Sequence, residues 1–313
     1  MAKIATREAY GKALVEFGAN PDIVVMDADL SKSTYTNLFK KAYPERHINM
    51  GIAEANMMSA AAGIATCGKT VFASTFAIFA SERAIEQVRN SICYPNLNVK
   101  VCATHAGLSI GEDGASHQIV EDIAIMRAIP NMRVISPCDA EETRMAVRYI
   151  LDTPGPFYLR LGRLAVETVY EEGECPFTFG KGIQLRDGTD LTIVATGLMV
   201  QESLKAVEIL KEKGISARLI DIHTIKPIDR DILAKASRET GLIVTAEEHN
   251  VYGGLGGAVA EALALTHPCR MAMVGVQDRF GRSGKPAEVL AAYGLTAEEI
   301  ALTAERLFAE KNN

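Results

Sequence analysis

Polar side chains able to do chemistry gather in loops that follow short apolar segments in the first half of the sequence. They are two histidines, two acidic residues and two arginines, with two serines earlier in the chain: His105, His117, Glu112, Asp113, Arg160, Arg163, Ser31 and Ser33. In a parallel α/β sheet the binding crevice lies beyond the carboxyl ends of the strands. Arginine binds phosphate through paired N–H donors, and serine hydroxyls add further donors. This combination predicts a site for a small, polar, anionic ligand.

Glu54 is the only charged residue in an Ala- and Met-rich segment that runs from Ile52 to Cys67. We interpret this segment as a buried helix, with Glu54 near its start, where the helix dipole favours a negative charge. The functional alternative is a glutamate whose surroundings raise its pKa, so that it holds and transfers a proton near neutral pH. The residues by themselves leave both interpretations open.

Two further patterns have simple structural explanations. Phe76 and Phe79 lie three residues apart after an apolar segment, and this spacing favours two core aromatic residues. A glycine-rich stretch, Gly253–Gly257, follows a predicted strand and opens a predicted helix. It does not fit the Gly-x-Gly-x-x-Gly spacing of a dinucleotide-binding turn, because position 259 is Val259. We therefore predict that these glycines allow tight helix packing.

The elements that must position these residues alternate between strands and helices along the chain. Such alternation predicts mainly parallel sheets flanked by helices, with right-handed crossovers. The fold class is therefore α/β with two domains. We place the first at residues 1–165, a linker at 166–187 and the second domain at 188–313.

Local signals refine this division. Ser81 is a candidate N-cap of a helix that continues to Ile92, and Asp139 is a candidate N-cap of a helix that continues to Leu151. The stretch from Arg163 to Asp190 is rich in acidic residues and glycine and lacks a helical period. We predict that it connects the two domains and contains a small hairpin.

Composition excludes several classes of protein. The 313 residues are 48% hydrophobic and 23% charged, which is typical of globular domains and enough for two cores. The net charge of −6 gives no indication of nucleic-acid binding, and the longest uncharged run, Ala55 to Gly68, is too short to span a membrane. The six cysteines lack zinc-site spacing, so we predict buried, reduced thiols, a cytoplasmic location and no metal site within this chain.

Several segments together resemble the pyrimidine-binding domain of transketolases: Ile52–Met57, Ser74–Phe76, Thr104–His105, Gly111–Gln118 and Tyr158–Arg160. The second half resembles the C-terminal domain of the same family in two segments, Ile220–Asp229 and Glu247–Gly257. The resemblance covers essentially the whole chain, and its most specific part is the loop from Thr104 to Gln118.

The resemblance implies a role for each matching residue. Glu54, His105 and His117 are catalytic residues, and Glu54 binds N1′ of the aminopyrimidine of thiamine diphosphate. Phe76 and Phe79 pack against that ring, and Glu82 lies where some members of the family have a further aromatic residue. The resemblance also implies a set of substrate-binding residues: Arg7, Ser33, His105, Asp113, His117 and Arg160.

A full-length transketolase has a further domain with a Gly-Asp-Gly…Asn motif that holds the diphosphate and a metal ion, and this sequence contains no Gly-Asp-Gly. The resemblance therefore implies the C-terminal subunit of a transketolase encoded as two chains. It would transfer a two-carbon ketol unit between sugar phosphates in the pentose phosphate pathway. An N-terminal partner subunit would hold the diphosphate and Mg²⁺ or Ca²⁺, and a homodimer of this chain would join two such partners in a heterotetramer.

Two alternatives remain at this point. One is another thiamine enzyme, a subunit similar to 1-deoxyxylulose-5-phosphate synthase or to the beta subunit of 2-oxo-acid dehydrogenases. The other is a scaffold or regulatory subunit that kept the fold without catalysis. The joint presence of Glu54, His105, Asp113, His117 and Arg160 argues against the scaffold.

Overall fold

A computed structural model of the chain describes residues 3–310. Its strands are β1 (Lys3–Ala5), β2 (Ile23–Asp27), β3 (His47–Asn49), β4 (Thr70–Phe76), β5 (Val99–Thr104), β6 (Arg133–Ile135), β7 (Phe157–Arg160), β8 (Ala165–Glu167), β9 (Ile183–Arg186), β10 (Leu191–Ala195), β11 (Ala217–Asp221), β12 (Thr224–Lys226), β13 (Leu242–Asn250) and β14 (Arg270–Val276).

Its α-helices are α1 (Thr6–Glu16), α2 (Ser31–Thr34), α3 (Thr36–Ala42), α4 (Glu54–Thr66), α5 (Ile85–Gln87), α6 (Asp122–Ala128), α7 (Ala140–Asp152), α8 (Met199–Glu212), α9 (Arg230–Thr240), α10 (Leu255–Ala264), α11 (Pro286–Ala292) and α12 (Ala297–Ala309). Two π-helical segments, Phe79–Arg83 and Val88–Cys93, flank α5. No helix within residues 3–310 is long and apolar enough to cross a membrane.

Two mainly parallel sheets form the two halves of the molecule. The first has seven strands in the order β12-β6-β7-β5-β4-β2-β3, and the second has five in the order β14-β13-β10-β11-β9. Strands β4, β5 and β7 are buried along their whole length, as expected when helices cover both faces of a parallel sheet. The predicted α/β fold with two mainly parallel sheets is confirmed.

The connection between the halves differs from the prediction. The expected hairpin is wrong, because β8 pairs with β1, and β9 pairs antiparallel with β11 at the edge of the second sheet. Strand β12, from the second half, likewise pairs antiparallel with β6 of the first sheet. The short strands β9 and β12 join the edges of the two larger sheets, because an edge strand offers unpaired backbone donors and acceptors, whereas β8 and β1 form a separate two-stranded sheet.

One of the two predicted helix caps is confirmed. Asp139 accepts a hydrogen bond from the Glu142 backbone N–H at 2.9 Å and caps α7. The prediction for Ser81 is wrong. Its hydroxyl donates to the Ala77 carbonyl at 2.5 Å, inside a helical turn that has already begun. A serine hydroxyl competes for carbonyls as readily as for N–H groups, so its residue type does not fix a helix start.

All six cysteines are free in the structure. Four are buried, Cys269 is partly exposed and Cys67 is exposed, so the prediction of buried thiols holds for four of them.

Two buried carboxyl groups from opposite halves meet at the junction. Glu142 of α7 and Asp221 at the end of β11 are fully buried, and with Cys138 they place possible metal-ligand atoms within 4.8 Å of one another. The oxygens Glu142 Oε1 and Asp221 Oδ1 have no hydrogen-bond partner among the described residues.

Burial, then the negative charge of Asp221, raises the pKa of Glu142 well above its ordinary value. Burial raises the pKa of Asp221 to about 6, although the Tyr170 hydroxyl donates to it at 2.8 Å. Asp139 adds further negative charge to both groups, and Cys138 is a thiol whose pKa burial raises. We interpret the cluster as a carboxyl pair that retains a proton in the folded protein.

This pair predicts a loss of stability on raising the pH. A group whose pKa is raised by folding keeps a proton that the unfolded chain releases, so stability falls as pH rises from about 4 through about 6. Glu142→Gln retains an acceptor for the Cys138 backbone N–H but cannot ionise. We expect the free energy of unfolding, measured by urea denaturation, to fall less in this variant than in the wild type between about pH 4 and about pH 8.

The neighbouring Glu141→Gln is the matched control. Glu141 pairs with Arg144, which lowers its pKa, so this variant should keep the wild-type fall with pH. Parallel pH profiles for the wild type and Glu142→Gln would contradict the shared-proton interpretation.

Candidate active site

Glu54 is the first residue of α4, and its side chain is 2% exposed. Arg83 Nη1 donates to both carboxylate oxygens, at 3.0 Å to Oε1 and 3.1 Å to Oε2. The Arg83 side chain is itself 51% exposed, so it covers Glu54 from the solvent side. The sequence analysis did not identify Arg83. The available signal was its position four residues after Phe79, because residues four apart are neighbours on a helix surface.

Phe76 and Phe79 form an aromatic wall beside Glu54 and Arg83. Phe76 ends β4 and Phe79 begins the π-helical turn, with ring centroids 5.8 Å apart and planes at 10°. His105 stacks on Phe76 at 3.9 Å, and His117 meets Phe79 edge-on at 5.6 Å. Phe76 is buried, as expected of a core aromatic, but its ring and that of Phe79 also contact the polar rings of His105 and His117.

His105 directly follows β5 and is held in a left-handed conformation with φ of 61°. Its Nε2 lies 3.3 Å from Arg7 Nη1, and its Nδ1 lies 2.8 Å from Thr104 Oγ1. Because arginine can only donate, Nε2 must accept, which leaves the proton on Nδ1 facing Thr104. Burial, then the charges of Arg7 and Arg163, lowers the pKa of His105 to about 3, so the ring is neutral near pH 7.

Two guanidinium groups lie beside this neutral histidine. Arg7, on α1, donates to the Ser33 carbonyl at 2.7 Å and to the Arg163 carbonyl at 3.3 Å. Burial, with the nearby Arg163 charge, lowers the pKa of Arg7. Arg163 donates to the Ile110 carbonyl and pairs with the exposed Glu112 at 3.4 Å. Arg7 and Arg163 therefore offer positive charge and partly exposed N–H donors, the features that bind an anionic group.

Arg160 does not join this group, although the sequence analysis placed it there. It is the last residue of β7 and is 6% exposed. Its Nε and Nη2 donate to Asp122 at 2.8 and 3.1 Å, and Nη2 also donates to the Glu248 carbonyl at 2.9 Å. Although burial opposes ionisation, the Arg160 charge holds the pKa of Asp122 below its ordinary value. Arg163 instead stands beside Arg7 and His105, because it lies beyond the strand in the loop.

Asp113 and His117 belong to one loop, of which His117 packs against the aromatic wall. Asp113 is exposed on the short turn Gly111–Asp113, and His117 Nδ1 lies 3.0 Å from Ser116 Oγ. Gly114 follows with φ of 75°, and a Cβ atom there would lie 2.3 Å from Ser283 Oγ of the second half. The second half therefore sets the position of this loop.

The glycine-rich stretch is a packing feature, as predicted. Glu247 accepts hydrogen bonds from the backbone N–H groups of Leu255 and Gly256, at 2.6 and 2.8 Å, at the start of α10. A Cβ atom on Gly254 would lie 2.0 Å from Glu247 Oε2. The chain's own carboxylate thus occupies the helix N-terminus, where a phosphate cradle would need free N–H groups.

The fold and site define a two-domain α/β protein with a carboxylate and an aromatic wall at the carboxyl edge of its first sheet. Residues 2–168 match the family model for the transketolase pyrimidine binding domain, and residues 180–300 match that for the transketolase C-terminal domain. The chain therefore belongs to the transketolase family. The prediction of a transketolase-type, thiamine-dependent transferase subunit is confirmed.

Individual relatives agree with this assignment. A protein of Methanocaldococcus jannaschii described as a transketolase C-terminal section is 54% identical, over 94% of this chain and 93% of the relative. A solved split-gene transketolase, an inactive beta4 tetramer, is 51% identical with a TM-score of 0.90, over 98% of this chain and 99% of the other. Human transketolase is 40% identical over 96% of this chain, which spans 48% of the human protein.

The two arginines near β7 predict losses of stability that differ in size. Arg160→Ala leaves Asp122 buried without its ionic partner, which costs about 3–5 kcal/mol. Arg163→Ala removes only a partly exposed pair, worth about 1 kcal/mol or less. We expect urea denaturation to show the large loss for Arg160→Ala alone. Equal losses for the two variants would contradict the structural role of Arg160.

Proposed function

We propose that this chain is the C-terminal subunit of a transketolase assembled from two kinds of chain. With an N-terminal partner, it transfers a two-carbon ketol unit from a ketose phosphate to an aldose phosphate. The observation that carries the proposal is the buried carboxylate of Glu54 beside the stacked rings of Phe76 and Phe79. In the proposed division of the chain, residues 1–165 bind the pyrimidine, 166–187 form a linker, and 188–313 form the C-terminal domain.

The residues of this site fit the aminopyrimidine half of thiamine diphosphate. Glu54 offers two acceptor oxygens, and Phe79 offers a ring face at 4.2 Å that already accommodates the planar guanidinium of Arg83. In this proposal Glu54 binds and exchanges a proton at N1′ of the pyrimidine, and the aromatic wall excludes water from it. When bound, thiamine diphosphate supplies an acidic carbon that carries the two-carbon unit.

The corner formed by Arg7, His105 and Arg163 is the proposed site for the phosphate of the sugar. Arg163 takes the place that the sequence analysis gave to Arg160, while Ser33 positions Arg7 through its carbonyl oxygen. Because His105 is neutral, it adds no positive charge to this corner. Its Nε2 accepts a hydrogen bond from Arg7 and so orients the guanidinium. In this proposal Asp113 and His117 contact the hydroxyl groups of the donor sugar, and the contact of His117 with the rings of Phe76 and Phe79 supports its part.

The proposed partner holds the diphosphate and a metal ion, Mg²⁺ or Ca²⁺. Support comes from the M. jannaschii relative, described as a C-terminal section, and from the split-gene transketolase, whose single kind of chain forms an inactive tetramer. We propose that a homodimer of this chain joins two partners in a heterotetramer. The six free cysteines support a reducing compartment, the cytoplasm, where the pentose phosphate pathway operates.

Reconstitution tests the proposed function. Each chain alone should be inactive in ketol transfer from xylulose 5-phosphate, and the mixture with Mg²⁺ and thiamine diphosphate should be active. Glu54→Gln should lower the turnover of the mixture on the order of a hundredfold or more, because an amide cannot exchange the proton. The exposed Glu86→Gln on α5 is the control. Full activity of this chain alone, or an inactive mixture of folded chains, would contradict the proposal.

Substrate charge tests the anion site. Arg163→Ala should raise the KM for a phosphorylated donor sugar on the order of tenfold and have a smaller effect on the KM for an unphosphorylated one. The reason is that the lost guanidinium is a charged group that donates hydrogen bonds to phosphate. The two KM values, measured in the reconstituted protein, distinguish phosphate binding by Arg163 from a purely structural role in its loop. A purely structural role would raise the KM for both donor sugars by the same factor.

A further inference from the structure

Arg83 lies on the two surfaces that the proposed cofactor would use. Its Nη1 contacts both oxygens of Glu54 at 3.0 and 3.1 Å, and its guanidinium carbon lies 4.2 Å from the centroid of the Phe79 ring. Glu54 is 2% exposed beneath it, whereas the Arg83 side chain is 51% exposed. A buried carboxylate is therefore covered by a single arginine that can swing into solvent.

The backbone at this position explains why Arg83 turns inward. The segment Phe79–Arg83 is a π-helical turn, in which the Ala84 backbone N–H donates to the Phe79 carbonyl at 3.1 Å. π-helical turns are rare and frequently occur at functional sites. This turn brings the side chain of Arg83 back over the ring of Phe79, toward the start of α4.

A guanidinium and an aminopyrimidine share the features that this site recognises. Both are planar and delocalised, and both stack on an aromatic face. A guanidinium and an aminopyrimidine protonated at N1′ also both present an N–H donor to a carboxylate. Building on the function proposed above, we propose that Arg83 is an internal ligand of the pyrimidine site. It binds Glu54 and Phe79 until thiamine diphosphate displaces it.

This arrangement has two consequences. Glu54 is never left buried and unpaired, a condition that is strongly unfavourable for a carboxylate. Because Arg83 Nη1 occupies both carboxylate oxygens, Glu54 can contact N1′ only after Arg83 has moved away. Arg83 therefore competes with the cofactor for Glu54.

Binding of a pyrimidine fragment to the full-length chain tests this proposal without catalysis. The probe is 4-amino-5-hydroxymethyl-2-methylpyrimidine, which carries no diphosphate and needs only the half-site of this chain. We expect Arg83→Ala to bind it about fivefold to tenfold more tightly, because an ion pair whose arginine is half-exposed and one cation–π contact no longer compete. Calorimetry or ligand-observed NMR measures the dissociation constants.

The matched control is Arg89→Ala. Arg89 lies on the next turns of the same helical stretch and bonds its neighbour Asn90, so its removal should leave the affinity unchanged. In Arg83→Ala, millimolar methylguanidinium should replace the missing side chain and compete with the pyrimidine. In the wild type, where Arg83 holds the position, methylguanidinium should have no such effect.

The outcomes separate this inference from the proposed function. Equal or weaker binding of the pyrimidine by folded Arg83→Ala would overturn the inference alone, and weaker binding would mean that Arg83 holds the cofactor directly. If neither form binds the pyrimidine, and the protein assembled with its partner does not bind thiamine diphosphate, both the proposed function and the inference fail.

Discussion

The ion pair of Arg160 with Asp122 is the interaction on which the rest of the site depends. It joins the end of β7 to the first residue of α6, and its third hydrogen bond reaches the Glu248 carbonyl in the second half. Both side chains are buried, so neither can be satisfied by water. A charged group in such a position holds its neighbours in one arrangement, because losing the partner leaves an uncompensated buried charge.

The loop between β5 and α6 is built on that junction. Glu248, whose own backbone carbonyl accepts from Arg160, also accepts the Ser109 backbone N–H through Oε1, and burial raises the pKa of its carboxyl to about 7. Gly107 has φ of 79°, and a Cβ atom there would lie 2.3 Å from the Glu248 side chain. The loop that carries His105 and His117 thus rests on the second half, and the two halves act as one scaffold.

These contacts place positive charge at one end of the site and a buried carboxylate at the other. At one end, Arg7 and Arg163 face a histidine that burial keeps neutral, which suits an anionic substrate. At the other end, Glu54 is buried against a single arginine and an aromatic wall. In the function proposed above, an anion and a planar N–H donor bind at these two ends of the site.

The sequence by itself determined the α/β alternation, the apolar strands of the two sheets and the Asp139 cap. These features depend on hydrophobic periodicity and helix capping, which involve residues only a few positions apart in the chain. The convergence of loops at the ends of parallel strands predicted that polar residues such as His105 and His117 would meet, whereas the resemblance to transketolases added Glu54, Phe76 and Phe79 to that group. Only the tertiary structure decided which of Arg160 and Arg163 lies beside Arg7 and His105. Three residues apart, they look equivalent in sequence, but one ends inside a strand against a buried acid and the other lies beyond it. The pairing of Glu54 with Arg83 and the carboxyl pair of Glu142 and Asp221 were decided in the same way. Each joins residues far apart in the chain, and no local pattern records which charges will be buried together.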